Sequence, residues 1–265
     1  MVEWVERFDK YFFLQLAETP ELIREAMSLR YRVYCTERAY EDPDSFPDGL
    51  EKDQYDRAAI HSVLRHRASL EVAGVVRLVR PNMEIYDGLL PIELHCRINS
   101  YFRNNISNIP REQIAEISRL AVSKQFRRRL GENQTIHEVI DKSEARLPCE
   151  ERRSLMPLIT LGLLRAIVAM SVEYNVTYWL AVMEPQLIRL LRGFGVVFVP
   201  IGPMANYHGS RMPCAGAVSE ILTGARRFRP DIWEFITQDV AIAIDSSGSF
   251  SESALELKPC LIART

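Results

Sequence analysis

Four short groups of residues combine side-chain types and spacings that could do chemistry. Arg30 and Tyr34 stand four apart, with Tyr40 six further on. On a helix the first two share a face with Met27, and the guanidinium needs either a carboxylate partner or an exit to solvent. Glu51, Asp53 and Asp56 place three acids within six residues, a pattern of solvated turns as well as of ligand pockets. Gly74-Val75-Val76-Arg77-Leu78 sets an arginine inside an apolar strand. By alternation Arg77 shares a face with Ala73, Val75 and Val79. Buried there, it demands an anion, either an anionic ligand or a carboxylate for which the acids at 51 to 56 and Glu116 are the candidates. Glu116-Ile117-Ser118-Arg119-Leu120 puts a carboxylate on a second apolar strand. Glu116 and Ser118 then share a face with Ile114 and Leu120, and Arg119 points away unless a bulge re-aims it. A carboxylate on an apolar face resists ionisation and can accept a proton near neutral pH; structural pairing with an arginine is the alternative. A basic run follows, Lys124, Arg127, Arg128 and Arg129 before Gly131. It suits a phosphate, an acidic partner protein or plain solvation.

These groups need a frame. Thr19-Pro20-Glu21 supplies an N-cap, a first-turn proline and an acid, so a helix runs from there to about Cys35 or Arg38. Residues 41 to 49 are loop. Residues 60 to 66 and 71 to 80 read as a hairpin, and 114 to 122 as a central strand. A polar stretch from 132 to 153 leads to a helix over 155 to 175, apolar almost all round and therefore buried. A strand at 176 to 182, a short amphipathic helix at 186 to 192 and a strand at 196 to 201 follow, then a tail with one helical stretch near 232 to 236 and a Ser-rich loop. With no repeat and no linker, this predicts one α/β domain with a mixed sheet over residues 1 to 265, its core at about 20 to 200 and a C-terminal extension at 201 to 265.

Composition narrows the function. Of 265 residues 47% are hydrophobic and 26% charged, and the net charge is −2, so the chain folds and is no general polyanion binder. Nucleic acid is not an expected partner. The apolar run at 155 to 172 carries Arg165 and Pro157 and falls short of a span of about 20 residues, so no integral membrane segment is expected. The first residues lack the apolar core of a secretory signal. Five cysteines at wide spacings form no metal or redox motif, which predicts no metal site, a reduced compartment and a cytoplasmic location.

Together the four groups resemble the acyl-homoserine-lactone synthases (the LuxI-like family) and the N-acyl amino acid synthases, a branch of the GNAT N-acyltransferase fold. The family pattern is an Arg with aromatics four and ten residues on, then E-x-D-x-Y-D, G-x-x-R-L and E-x-S-R. Here it is met by Arg30, Tyr34 and Tyr40, by Glu51, Asp53 and Asp56, by Gly74 and Arg77, and by Glu116, Ser118 and Arg119. Within the family the chain looks most like the acyltransferases associated with bacterial exosortase (PEP-CTERM) systems. It differs from the lactone synthases in having tyrosines where they favour Phe and Trp. The pyrophosphate loop R-x-x-G-x-G/A is reduced to residues 125 to 130, with Gly131 out of place, and residues 82 to 112 and those beyond 210 lie outside the family core.

The resemblance implies a sheet splayed near its centre beside the strand of Glu116. It implies an N-acyltransferase, autoinducer-synthase-like, that moves a fatty acyl group to the amine of an amino-acid-like acceptor. The donor is an acyl-phosphopantetheine thioester on acyl carrier protein, or acyl-CoA; no cofactor stays bound. Glu116 would be the base, through a water, with Ser118 and Arg119 beside it and backbone N–H groups at a strand bulge polarising the carbonyl. Arg30, Tyr34, Tyr40, Glu51, Asp53, Asp56 and Arg77 would build or brace the acceptor pocket. Lys124, Arg127, Arg128 and Arg129 would meet the donor, and the segment 155 to 182 would line the acyl tunnel or simply fill the core. A non-catalytic acyl-carrier or ligand-binding module is the rival reading.

Overall fold

The computed structural model describes residues 2–127, 155–242 and 255–257; Arg128, Arg129, the polar stretch before the buried helix and the Ser-rich tail loop lie outside the described residues. Helix α1 (Val2–Tyr11) runs straight into strand β1 (Phe12–Leu16). Thr19 caps α2 (Pro20–Tyr31) by accepting the Leu22 N–H, which satisfies one of the donors a helix start leaves open. A π-helical turn, Arg32–Glu37, then carries Tyr34 inward. After the acidic loop come β2 (Ala59–His66) and β3 (Val72–Val79), then α3 (Pro91–His95) and α4 (Ser100–Ile106). The central strand β4 (Ile114–Val122) leads to α5 (Lys124–Arg127). The second half holds α6 (Leu155–Glu173), β5 (Tyr178–Met183), α7 (Pro185–Gly193), β6 (Val199–Pro200), β7 (Ala205–Asn206) and β8 (Ser210–Ala217). Last are α8 (Val218–Phe228), α9 (Pro230–Ile236) and a separate pair, β9 (Val240–Ile242) with β10 (Leu255–Leu257).

The main sheet has the order β1-β2-β3-β4-β5-β8-β6, with β7 pairing β8. β4 and β5 are parallel and the other neighbours antiparallel. β4 pairs with β3 as far as Val122 but with β5 only from Ile114 to Ile117. Beyond Ile117 the two halves diverge, and the sheet opens into a V at its centre, as the resemblance implies.

Two segments outside the expected core belong to it. Ser210–Ala217 pairs with β5 along six residues; Pro213 and Gly216 within it weigh against a strand on propensity alone. The insert at 82 to 112 tucks Leu90 and Ile92 under Val79, Ile114 and Leu180. Helix α6 covers the opposite face, 15 of its 19 residues buried. It is long and apolar enough to cross a membrane, yet here it is the core helix of a sheet protein, and Arg165 in its middle makes a two-point ion pair with buried Asp239 at 2.6 and 2.7 Å.

Gly162 sets how close α6 sits. A Cβ there would lie 2.3 Å from Phe8 Cε2 and 2.6 Å from Leu64 Cδ1. Gly162→Ala is expected to cost about 1–3 kcal/mol through overpacking, read as a lower urea midpoint at unchanged slope. An unchanged midpoint would mean that Phe8 moves aside freely.

Candidate active site

The site begins at an irregularity in β4. Arg77 pairs with Ser118 and Val75 with Ala121, so two residues of β4, Arg119 and Leu120, oppose the single Val76. Arg119 takes up the extra residue with φ of +52°, a conformation that non-glycine residues adopt at a cost. Ser118 and Arg119 consequently face the same side as Glu116. Leu120 is swung to the opposite core, which corrects the alternation that placed it with Glu116. Ala73 likewise packs on the other side, where the β2–β3 register shifts.

The bulge aims Arg119 into a cluster of three guanidiniums and three carboxylates. Arg30 donates from Nε to Glu51 at 2.5 Å and through both terminal nitrogens to Asp56 at 2.6 and 3.1 Å. Arg77 donates to Asp53 at 2.7 and 2.9 Å, to Asp56 at 2.7 Å and to Ser118 Oγ at 3.2 Å. Arg119 donates from Nε to Glu51 at 3.0 Å and from Nη2 to Asp53 at 3.1 Å. The acids reach these positions because Gln54–Ala58 forms a short 3₁₀ turn. Asp53 and Asp56 form a capping box on it, each side chain accepting a backbone N–H of the other's end. Burial alone would push the carboxylates up; the arginines outweigh it and hold Glu51, Asp53 and Asp56 below their ordinary range. His61, opposite Arg77 in register, lies 3.5 Å from Asp56 without hydrogen-bond geometry. Burial and Arg30 lower it to about 4, so it is neutral.

Glu116 stands apart from this cluster. It is 2% exposed, and its carboxylate accepts the backbone N–H of Ile92 at 2.7 Å. Burial pushes its pKa up to about 8, against the smaller pull of that hydrogen bond, Arg77 and Arg119. A carboxyl group that changes charge near neutrality on a strand beside a bulge is equipped to accept a proton.

A cavity of about 1020 Å³ opens along the V of the sheet. Glu116, Ser118 and Arg119 lie at its polar end; Leu164, Ile167, Leu187, Leu191 and Phe198 line an apolar arm between α6, α7 and the splayed strands. Lys124 lines it as well; Arg127 is the last residue of α5. The structure thus brings Arg30, Glu51, Asp53, Asp56, Arg77, Ser118 and Arg119 into one hydrogen-bonded unit. Tyr34 and Tyr40 form an aromatic wall beside it, their rings edge to face at 6.0 Å.

That wall contains residues with no place in the four groups. Tyr207 and His208 stand at the tip of the β7–β8 hairpin and line the cavity. His208 Nε2 lies 3.1 Å from Arg119 Nη1 and its Nδ1 lies 3.1 Å from Glu41. His95 stacks on Tyr207 at 4.7 Å. Arg211 reaches Glu184 at 3.3 Å and lies over the Tyr40 ring. The Asn-Tyr-His-Gly-Ser run at 206 to 210 signals a turn; nothing in its composition says what the turn touches. No grouping of metal-binding side chains occurs among the described residues.

Residues 29–136 match the family model described as an acetyltransferase (GNAT) domain. No curated protein sequence matches the chain. Among solved structures, the chain is similar to the AHL synthase LasI, with a TM-score of 0.50 at 16% identity over 82% of this chain and 95% of that one. It is similar to BjaI, a CoA-dependent acyl-homoserine lactone synthase solved with SAM and isopentyl-CoA, at 0.51 and 17% over 86% and 88%. It is also similar to FeeM, an N-acyl amino acid synthase from uncultured soil microbes, at 0.50 and 15% over 82% and 98%. The fold is that of the GNAT acyltransferases, in the form these proteins share.

Proposed function

We propose that this chain is an N-acyltransferase of the autoinducer-synthase kind, passing a fatty acyl group from a thioester to the amine of an amino-acid-like acceptor. One observation carries the reading: a buried carboxyl group poised near pH 8, Glu116, sits beside a strand bulge where a polar pocket meets an apolar arm. The acyl chain fits the arm, which puts the thioester carbonyl at the bulge. An acceptor ammonium gives a proton to Glu116, directly or through one water. The freed amine attacks the carbonyl carbon, and backbone N–H groups of the bulge hold the oxyanion. Collapse expels the thiolate, which takes up a proton, leaving an amide and a free thiol. With its pKa raised to about 8, Glu116 is a much stronger base than an ordinary carboxylate, which narrows the gap to the acceptor ammonium and suits it to accept the proton near neutral pH.

Every terminal nitrogen of Arg30, Arg77 and Arg119 already bonds within the protein, so these arginines brace the pocket rather than receive an anion. The charged side chains that line the cavity are mixed, Glu37, Glu116 and Glu184 with Arg38, Arg119, Lys124 and Arg211. Lys124 and the basic run after it are assigned to the donor, acyl carrier protein by this reading and acyl-CoA by the alternative. The exosortase association rests on the sequence resemblance, and the cytoplasmic location goes with free, buried Cys35, Cys96 and Cys214.

The test is mass spectrometry of products from the purified chain with mixed acyl-carrier and acyl-CoA donors, pooled amino acids and S-adenosylmethionine. An N-acyl amide appearing with free thiol is the expected result, and its mass names donor and acceptor. Acyl thioester bound without thiol release would leave a binding module and overturn the proposal.

A further inference from the structure

The β7–β8 hairpin closes with a three-residue tip, Tyr207 to Gly209, tied by the Tyr207 N–H to Gly209 O at 3.0 Å. His208 and Gly209 both have positive φ, +51° and +93°. The second suits glycine, and a Cβ on Gly209 would press to 3.3 Å on the Tyr40 ring. The first is a left-handed conformation that histidine adopts more readily than most side chains, and it sends the ring, 9% exposed, into the site. The ring meets Tyr34 edge-on at 5.6 Å and Tyr207 at 4.2 Å. The charged or titratable groups around it are Arg119, Arg211, Glu41, His95 and Asp53.

Arg119 is a donor only, so its Nη1 bond at 3.1 Å requires a lone pair on His208 Nε2. The proton then sits on Nδ1, where it meets Glu41 at 3.1 Å. Both ring nitrogens are committed. Burial and the neighbouring arginines lower the ring's pKa to about 3, which removes it as the proton acceptor of the reaction. What remains is a neutral acceptor aimed at the residue that forms the β4 bulge. Two backbone positions in the left-handed region, 89 residues apart, are joined by one hydrogen bond.

We propose that His208 is a positioning residue: its Nε2 holds the Arg119 guanidinium, and with it the β4 bulge, in the arrangement that acyl transfer uses. The catalytic part of this inference rests on the function proposed above; the contact itself does not. A shift of about 1 Å at a reacting centre is enough to lose about 10²-fold in rate, which is the scale on which such a brace acts. Glutamine is the replacement that tests it, because its amide also accepts with one atom and donates with the next.

The experiment has two arms on the full chain. Long-range ¹H–¹⁵N spectra of labelled protein should show His208 as the neutral Nδ1–H tautomer from pH 8 down to about 4. An Nε2–H tautomer, or titration near 6.5, would overturn the proposal. In the kinetic arm, His208→Phe keeps the ring contacts and removes the acceptor. Its kcat should fall about 10–100-fold, with the KM for acyl donor within about twofold and the acid limb of the pH profile unmoved, while His208→Gln recovers most of the loss. Equal losses in both variants with the acid limb abolished would make His208 a proton carrier, and wild-type kcat in His208→Phe would make it a packing residue; either overturns the proposal. If the wild-type chain transfers no acyl group, the proposed function fails, and the spectra alone decide whether His208 holds Arg119.

Discussion

Glu116→Gln is expected to fold, to bind acyl donor and to lose about 10²–10⁴-fold in turnover at neutral pH, the usual worth of a positioned general base. The amide still accepts the Ile92 N–H that Glu116 accepts at 2.7 Å, so the strand and the insert keep their contact. What disappears is the ability to take a proton. With a pKa raised to about 8 by burial, wild-type turnover should climb from pH 6 and level off above 8. The variant should lack that limb, its residual rate following the acceptor amine alone. Stability gives an independent reading. A group whose folded pKa lies above its unfolded value, here about 8 against 4.5, contributes stability that is complete below the unfolded value. That contribution is lost as pH rises through the folded one, at about 1.4 kcal/mol per pH unit between them. The wild type should therefore weaken from pH 5 to 8 relative to Glu116→Gln, and the variant should become the more stable protein at alkaline pH. Near-normal turnover of the variant at pH 7 would make Glu116 structural. A stability difference flat across that window would deny that it is protonated when buried.

How far the site could be read in advance follows from the range of each signal. Arg77 inside an apolar strand demands an anion whatever the fold, and Asp53 and Asp56 answer it as expected. Arg30, caught between a carboxylate and solvent on sequence grounds, finds Glu51 and Asp56. Strand alternation carries Glu116 and Ser118 to one face, but it has no term for the extra residue in β4. The resemblance implies a bulge in this strand with Arg119 beside Glu116; the structure puts the extra residue at Arg119–Leu120, which turns Arg119 inward and Leu120 to the opposite core. The missed residues, Glu41, Tyr207 and His208, act across long sequence separations through a turn whose composition speaks only of its own conformation. The insert that supplies Ile92 to Glu116 has no strong periodicity, so its role as a wall of the site was invisible. The central V is expected from the resemblance; in the structure β5 runs parallel to β4 for four residue pairs and parts from it beyond Ile117, ahead of the bulge.

Arg77→Ala should produce the largest loss of stability in the molecule, about 3–5 kcal/mol, about a fifth or more of what holds a typical domain folded. The side chain is fully buried and bonds two carboxylates and Ser118. Deleting it leaves Asp56 to Arg30 and Asp53 to a single guanidinium bond from Arg119, so three acids, two of them buried, share two guanidiniums. The pH dependence distinguishes this from a mere cavity. Glu51, Asp53 and Asp56 lie below their ordinary range in the folded protein. Their contribution is present above the unfolded value near 4 and is lost as pH falls through the folded ones. Without Arg77 the pKa values of Asp53 and Asp56 rise, so the deficit of the variant should be greatest at neutral pH and shrink toward pH 4 as the orphaned carboxylates take up protons. A cavity alone would give a deficit indifferent to pH. An unchanged urea midpoint would mean that the remaining arginines suffice to hold the three carboxylates.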